Sequence, residues 1–197
     1  MRPRILFCLL GICGALFPAR GDEGAPVVRH WTVEDFDAVI FVALEGYRDF
    51  ANGKRTFSRA GCVRCHRFAG EGPENAVAPD LAGVGESRNP RDLLESILDP
   101  GKTIAESQRV RHFGLKNGGT AEGIVIEGTG SVLRIVTDPR DPERITSVAK
   151  SDIHSDRPSA VSAMPGGLLD AFEEEDVLDL LAYLLSGGRE TDPLFRK

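Results

Sequence analysis

Two cysteines with two residues between them, followed at once by a histidine, are the residues of this chain best suited to chemistry. They are Cys62 and Cys65, with His66 next. At this spacing each thiol can add to one vinyl group along the same edge of a porphyrin, and the following imidazole is carried beneath the ring, where it can bind iron. The motif therefore predicts one covalently attached haem c.

Other uses of a cysteine pair are weighed against the rest of the sequence. A structural zinc site needs about four ligands, usually from two such pairs, and the sequence has no second pair. A thioredoxin-like pair would lie at a helix start in a βαβ unit, and the sequence pattern shows no such unit. A disulfide between Cys62 and Cys65 stays open as the alternative.

The second axial ligand of the iron is sought among the methionines and histidines. Met164 is the methionine that remains once Met1 is removed with a leader, and it precedes Pro165 and a glycine pair. Proline stiffens such a loop and glycine permits close approach, so the loop suits presentation of a thioether to the far face of the ring. A His66/Met164 pair would be typical of electron-transfer cytochromes and would raise the reduction potential. The competing ligands are His30, His112 and His154.

The first 21 residues have the layout of a secretory signal peptide. Arg2 and Arg4 precede an uncharged apolar run over residues 5–17, and Ala19 and Gly21 supply the small residues of a cleavage site. The run is shorter than the roughly 20 residues of a membrane-spanning helix. We therefore expect cleavage after Gly21, no stable membrane span afterwards, and a location in the periplasm or outside the cell; a retained anchor is the alternative.

The charge of the chain bears on its partners. The sequence has 30 acidic and 24 basic residues, a formal net charge of −6, and loss of the arginines in the leader would make it more negative. An acidic protein is poorly suited to nucleic acid. We expect a protein partner instead, namely a periplasmic redox protein or dehydrogenase.

Helical patterns lie on both sides of the cysteine motif. Each begins at a suitable cap or a run of acidic residues, and each then carries apolar residues at helical spacing. The predicted helices begin at Thr32, at about Tyr47 (ending at Arg59), at Asn89 with Pro90 in the first turn, and at Glu173 (ending before Gly187).

A different pattern occupies residues 108–156. Short β-prone segments alternate there with glycine-rich turns, which predicts an antiparallel insertion of about four strands. The predicted strands are residues 109–115, 121–127, 132–137 and 144–150. The whole sequence therefore predicts a mainly α fold around one haem, with a small antiparallel β insertion.

The order of these elements resembles the cytochrome c fold, in which a helix precedes the cysteine motif and a middle helix, a methionine loop and a last helix follow. The first and last helices cross closely in that fold, which would place Gly53 and Phe57 against Leu180 and Tyr183. Together with the signal-like N-terminus, this predicts a signal peptide over residues 1–21, a partly helical extension over 22–45, a haem domain over 46–188 with the β insertion at about 108–156, and a tail over 189–197.

A closer resemblance is to the haem-binding domain found in Planctomycetes and Verrucomicrobia, often attached to large secreted proteins. The matching segments are residues 52–54 with Phe57, 62–66, 79–81, 94–100, 162–169 and 179–184. The chain departs from that pattern at Ala78, where the family often has glycine, and at Glu173, where it usually has serine or threonine.

The resemblance also implies roles for three residues outside the cysteine motif. Pro79 would offer its carbonyl to the Nδ1–H of His66 and so orient the imidazole. Leu81 would pack on the haem, and Arg88 would meet a propionate.

Three functions are compatible with these residues. The first is a one-electron carrier that is not an enzyme, in which the protein tunes the potential of the haem. The second is a peroxidase-like enzyme, which needs an open sixth position and polar distal groups; Met164 in its proline–glycine loop argues against it. The third is a sensing module in which a small ligand displaces Met164. We expect the first.

Overall fold

A computed structural model describes residues 28–128 and 130–196, so the predicted signal peptide lies outside the described residues. The helices are α1 (Ile40–Ala43), α2 (Phe50–Arg59), α3 (Val84–Ser87), α4 (Pro90–Leu98) and α5 (Glu174–Leu185), with short 3-10 turns between them. The strands are β1 (Val110–Leu115), β2 (Thr120–Glu127), β3 (Val132–Val136), β4 (Ile145–Ala149) and β5 (Ile153–Pro158). No described helix is long and apolar enough to cross a membrane.

The prediction of a mainly α fold is wrong. Among the described residues, helix including 3-10 turns accounts for 33% and strand for 19%, and the strands form one antiparallel sheet of five members. One cause is the segment after Thr32, which folds as a 3-10 turn over Val33–Phe36 and a single α-turn over Ile40–Ala43. Its β-branched residues Val39, Ile40 and Val42 have low helix propensity, which disfavours one long helix there.

The sheet has the strand order β4-β3-β2-β1-β5 and carries its own small core of Phe113, Ile135 and Val148. The four predicted strands are present. The fifth, β5, pairs with β1 and was missed because most of its residues are polar and exposed, so it has no apolar alternation. β5 is an edge strand of the sheet, and the chain continues from it towards Met164.

The helical core is built on the crossing of α2 and α5. Both helices bury their facing sides, and Gly53 lies where their backbones meet: a Cβ there would collide with the carbonyl of Asp179 and lie 2.8 Å from Cβ of Tyr183. Phe57 packs against Tyr183 with 5.9 Å between ring centroids. The expected contact of Gly53 and Phe57 with Tyr183 is therefore confirmed, and Asp179 is the further residue that faces Gly53.

The segment before α2 belongs to the same core. Phe36 and Ile40 are completely buried, and the ring of Trp31 lies 5.1 Å from that of Phe36. Trp31 also donates from Nε1 to the carbonyl of Phe172 at 3.0 Å. These contacts join the N-terminal segment to the chain that follows Met164.

Candidate functional site

The cysteine motif forms a single tight turn directly after α2. Gly61 adopts a left-handed conformation with φ of 84°, and a 3-10 turn over Cys62–Arg64 follows. The amide of His66 donates to the carbonyl of Cys62 at 2.9 Å. The turn thus brings the two thiols and the imidazole onto one short piece of backbone.

Both cysteines are free, and both thiols have a raised pKa. Burial raises the pKa of Cys62 to about 11. Burial is also the main cause of the raised pKa of Cys65, opposed by the nearby guanidinium of Arg140. A redox-active cysteine pair needs a lowered thiol pKa, so these values argue against thioredoxin-like chemistry.

His66 is held by the carbonyl of Pro79, whose oxygen lies 2.8 Å from Nδ1. Because a carbonyl only accepts, Nδ1 carries the hydrogen, and Nε2 keeps its lone pair for a metal. Burial lowers the pKa of His66, with the Pro79 hydrogen bond opposing it. Burial thus favours the neutral imidazole, and the Pro79 carbonyl orients it, as ligation of iron requires.

The loop after His66 depends on a glycine that the sequence reasoning did not single out. Gly72 has φ of +97°, and a Cβ there would collide with the carbonyl oxygen of His66. Lys54 on α2 binds Glu71 at 2.9 Å, and the amide of Leu81 donates to the carbonyl of Arg67 at 2.9 Å. The loop is thus fastened on both sides of Pro79.

Met164 lies on the edge of the same helical core as the cysteine motif. It is half-buried, and its amide donates to Oγ of Ser162 at 3.1 Å. Cys62 and Leu81 also pack against that core. The structure therefore brings Cys62, Leu81 and Met164 to one apolar body, which fits the requirement of a haem for an apolar enclosure.

Arg88 and the histidines outside the motif lie elsewhere. Arg88 is exposed at the end of α3 and has no ion pair among the described residues. His30 contacts Asp170 at 2.7 Å, and His112 on β1 contacts Glu122 at 3.0 Å. His154 is exposed on β5 and lies against β1 at Gly114.

The sheet reaches the cysteine motif through the loop between β3 and β4. Glu143 in that loop accepts a hydrogen bond from Nδ2 of Asn75 at 3.1 Å. Arg140 lowers the pKa of Cys65 and Asp138 raises it, and the two residues form an ion pair at 2.9 Å. The β insertion is therefore adjacent to the turn that carries the thiols.

Comparison with known proteins agrees with this geometry. Residues 50–125 match the family model described as Cytochrome c. The matched range contains the cysteine motif, Pro79, Leu81 and Arg88, and it ends before Met164 and α5. No curated protein matches the chain. The match supports a c-type cytochrome, and the cofactor of that family is covalently attached haem c.

Proposed function

We propose that this chain is an exported, monohaem carrier of single electrons with His66 and Met164 as axial ligands. The observation that carries the proposal is the 2.8 Å contact between Nδ1 of His66 and the carbonyl of Pro79, because it leaves Nε2 available to iron. Cytochrome c domains are in general haem-binding electron carriers. Cys62–His66 is the one motif of its kind in the sequence, which supports a single haem.

Two observations support Met164 as the sixth ligand. Its side chain packs on the helical core that Cys62 and Leu81 also contact. Two of the competing histidines contact carboxylates instead, His30 with Asp170 and His112 with Glu122, and His154 is exposed on β5. A thioether is a ligand typical of electron transfer, since it stabilises the reduced iron.

The division of work between cofactor and protein follows from these contacts. The haem supplies one-electron exchange between Fe(II) and Fe(III). Cys62 and Cys65 would hold the group covalently, Pro79 orients His66, and Leu81 packs against the helical core. Arg88 would neutralise a propionate, which suits its lack of an ion pair among the described residues.

Export and the choice of partner complete the proposal. The signal-like pattern of residues 1–21 agrees with the extracytoplasmic location typical of the family. We infer that the partner is a periplasmic dehydrogenase or another redox protein. We also propose that the chain is a haem-binding domain of the type found in Planctomycetes and Verrucomicrobia.

Spectra of ligand variants test the ligation. Met164→Ala is expected to lose the weak long-wavelength band of a methionine–iron bond, at about 695 nm, and to have a lower reduction potential. His154→Gln is the matched control, because it removes a competing ligand from the sheet. Retention of the band in Met164→Ala, or its loss in His154→Gln, would contradict the assignment.

A further inference from the structure

The side chain of Arg109 joins the two ends of the sheet at the point where the chain departs from it. Its Nη2 donates to the carbonyl of Ile104 and its Nη1 to the carbonyl of Ser159, both at 3.0 Å. Its Nε donates to Glu106 at 3.1 Å. The side chain is 26% exposed, so the guanidinium spans a partly buried gap between the start and the end of the sheet.

Ser159 is the start of the segment that leads to Met164. Its amide donates to the carbonyl of Val110 at 2.8 Å, and its hydroxyl accepts from the amide of Val161 at 3.0 Å. The hydroxyl of Ser162 then accepts from the amide of Met164 at 3.1 Å. A short series of local hydrogen bonds therefore follows the chain from the Arg109 contact to the backbone of the methionine.

The other end of the methionine loop is held separately. The amide of Arg29 donates to the carbonyl of Asp170 at 2.8 Å, and Trp31 donates to the carbonyl of Phe172 at 3.0 Å. Loss of the Arg109 contact would therefore weaken one end of the loop, where the amide of Ser159 still donates to the carbonyl of Val110, and leave the other end in place. The expected effect is a looser loop in a folded protein.

We propose that Arg109 is a positioning residue for Met164. It fixes the point from which the ligand loop leaves the sheet, and so determines how firmly the thioether is held at the iron. A guanidinium presents a planar fork that reaches two carbonyls at once, whereas an ammonium is a single point of charge. This inference rests on the proposed ligation by Met164.

The test measures how easily an added ligand replaces the thioether. Imidazole is titrated into the oxidised holoprotein of the wild type, Arg109→Gln and Arg109→Lys, and the methionine–iron band is followed. Both variants are expected to bind imidazole about tenfold more tightly, a shift of about 1.4 kcal/mol in the competition. Hydrogen exchange of the amides of residues 161–164 is expected to rise as well.

Arg111→Gln is the matched control. Arg111 lies two residues later, on β1, has the same 26% side-chain exposure and also binds Glu106, but its other partner is the side chain of Asp156 rather than a backbone carbonyl. Its imidazole affinity is expected to stay within about twofold of the wild type. Arg109→Lys keeps the positive charge, so the imidazole titration is carried out on this variant alone if Arg109→Gln fails to fold.

The outcomes separate the two proposals. Absence of the methionine–iron band from the wild type overturns the ligation, and the role of Arg109 with it. Presence of the band in the wild type with unchanged imidazole affinity in the Arg109 variants overturns the positioning role alone. An equal change in Arg111→Gln also overturns it, because the effect would then be a general loosening of the sheet.

Discussion

Replacing Gly53 with alanine is expected to destabilise the folded holoprotein by about 1–3 kcal/mol. Two effects oppose each other at this position. Alanine is favoured over glycine by about 1 kcal/mol in a helix interior. Against this, the new Cβ would lie 2.8 Å from Cβ of Tyr183 and would collide with the carbonyl of Asp179. The steric overlap outweighs the gain in helix propensity, because a backbone carbonyl in the middle of α5 cannot rotate away. The two helices would therefore have to separate.

Guanidinium unfolding measures this difference, and Ala51→Gly supplies the matched control. Ala51 is exposed in the first turn of the same helix, so its replacement reports the helix propensity without the contact with α5 and is expected to cost at most about 1 kcal/mol. A Gly53→Ala protein that is more stable than the wild type by a similar amount would refute the close approach of α2 and α5.

Three further predictions concern the surroundings of the site. Gly72 has φ of +97° and no room for a Cβ beside the His66 carbonyl. Gly72→Ala is therefore expected to lower the free energy of unfolding by about 2 kcal/mol or more and to lower the yield of attached haem. Unfolding and haem content measure the two effects, and an unchanged haem yield would contradict the prediction. Asp179→Ala removes a carboxylate, 6% exposed, that accepts from the amide of residue 49 and from the side chain of residue 52. The free energy of unfolding of this variant is expected to fall by about 2–4 kcal/mol, and a fall of less than about 1 kcal/mol would contradict the hydrogen-bond network. The Arg140 guanidinium lowers the pKa of Asp138 to about 2. The contribution of this pair to stability is therefore present above the usual carboxyl pKa and is lost as the pH falls through about 2. In Arg140→Gln, carbon NMR titration should show the pKa of Asp138 returning towards its ordinary value.

Local sequence signals predicted the parts of the fold that local chemistry determines. Asn89 and Pro90 begin α4, and Oδ1 of Asn89 accepts from the amide of Asp92 at 2.9 Å. The helix predicted to end at Arg59 does end there, directly before the cysteine motif. In each case the deciding contacts lie within a few residues of one another, so the pattern was sufficient.

Features that depend on distant parts of the chain were not predictable in this way. β5 is a strand because β1 pairs with it, and its own residues carry no apolar alternation. The importance of Gly72 depends on the position of the His66 carbonyl, and that of Arg109 on carbonyls at residues 104 and 159. The contact of Pro79 with His66 was expected only through the family resemblance, because 13 residues separate the two in the chain.

The α2 helix also began later than expected because of a local conformation that the pattern did not reveal. The helix was predicted from about Tyr47, but Tyr47 has φ of 67°, which a helix does not contain. α2 instead begins at Phe50, with the side chain of Asp49 accepting from the amide of Asn52 at 2.8 Å. An apolar face at helical spacing thus identified the helix but not its first residue.

The visible spectrum of the purified wild-type protein, with a pyridine haemochrome assay, tests the central claim most directly. The protein should be produced in a host with cytochrome c maturation machinery. The account predicts one covalent haem per chain and, in the oxidised form, the weak band of a methionine–iron bond. A covalent haem with a high-spin spectrum and no such band would contradict the electron carrier ligated by His66 and Met164.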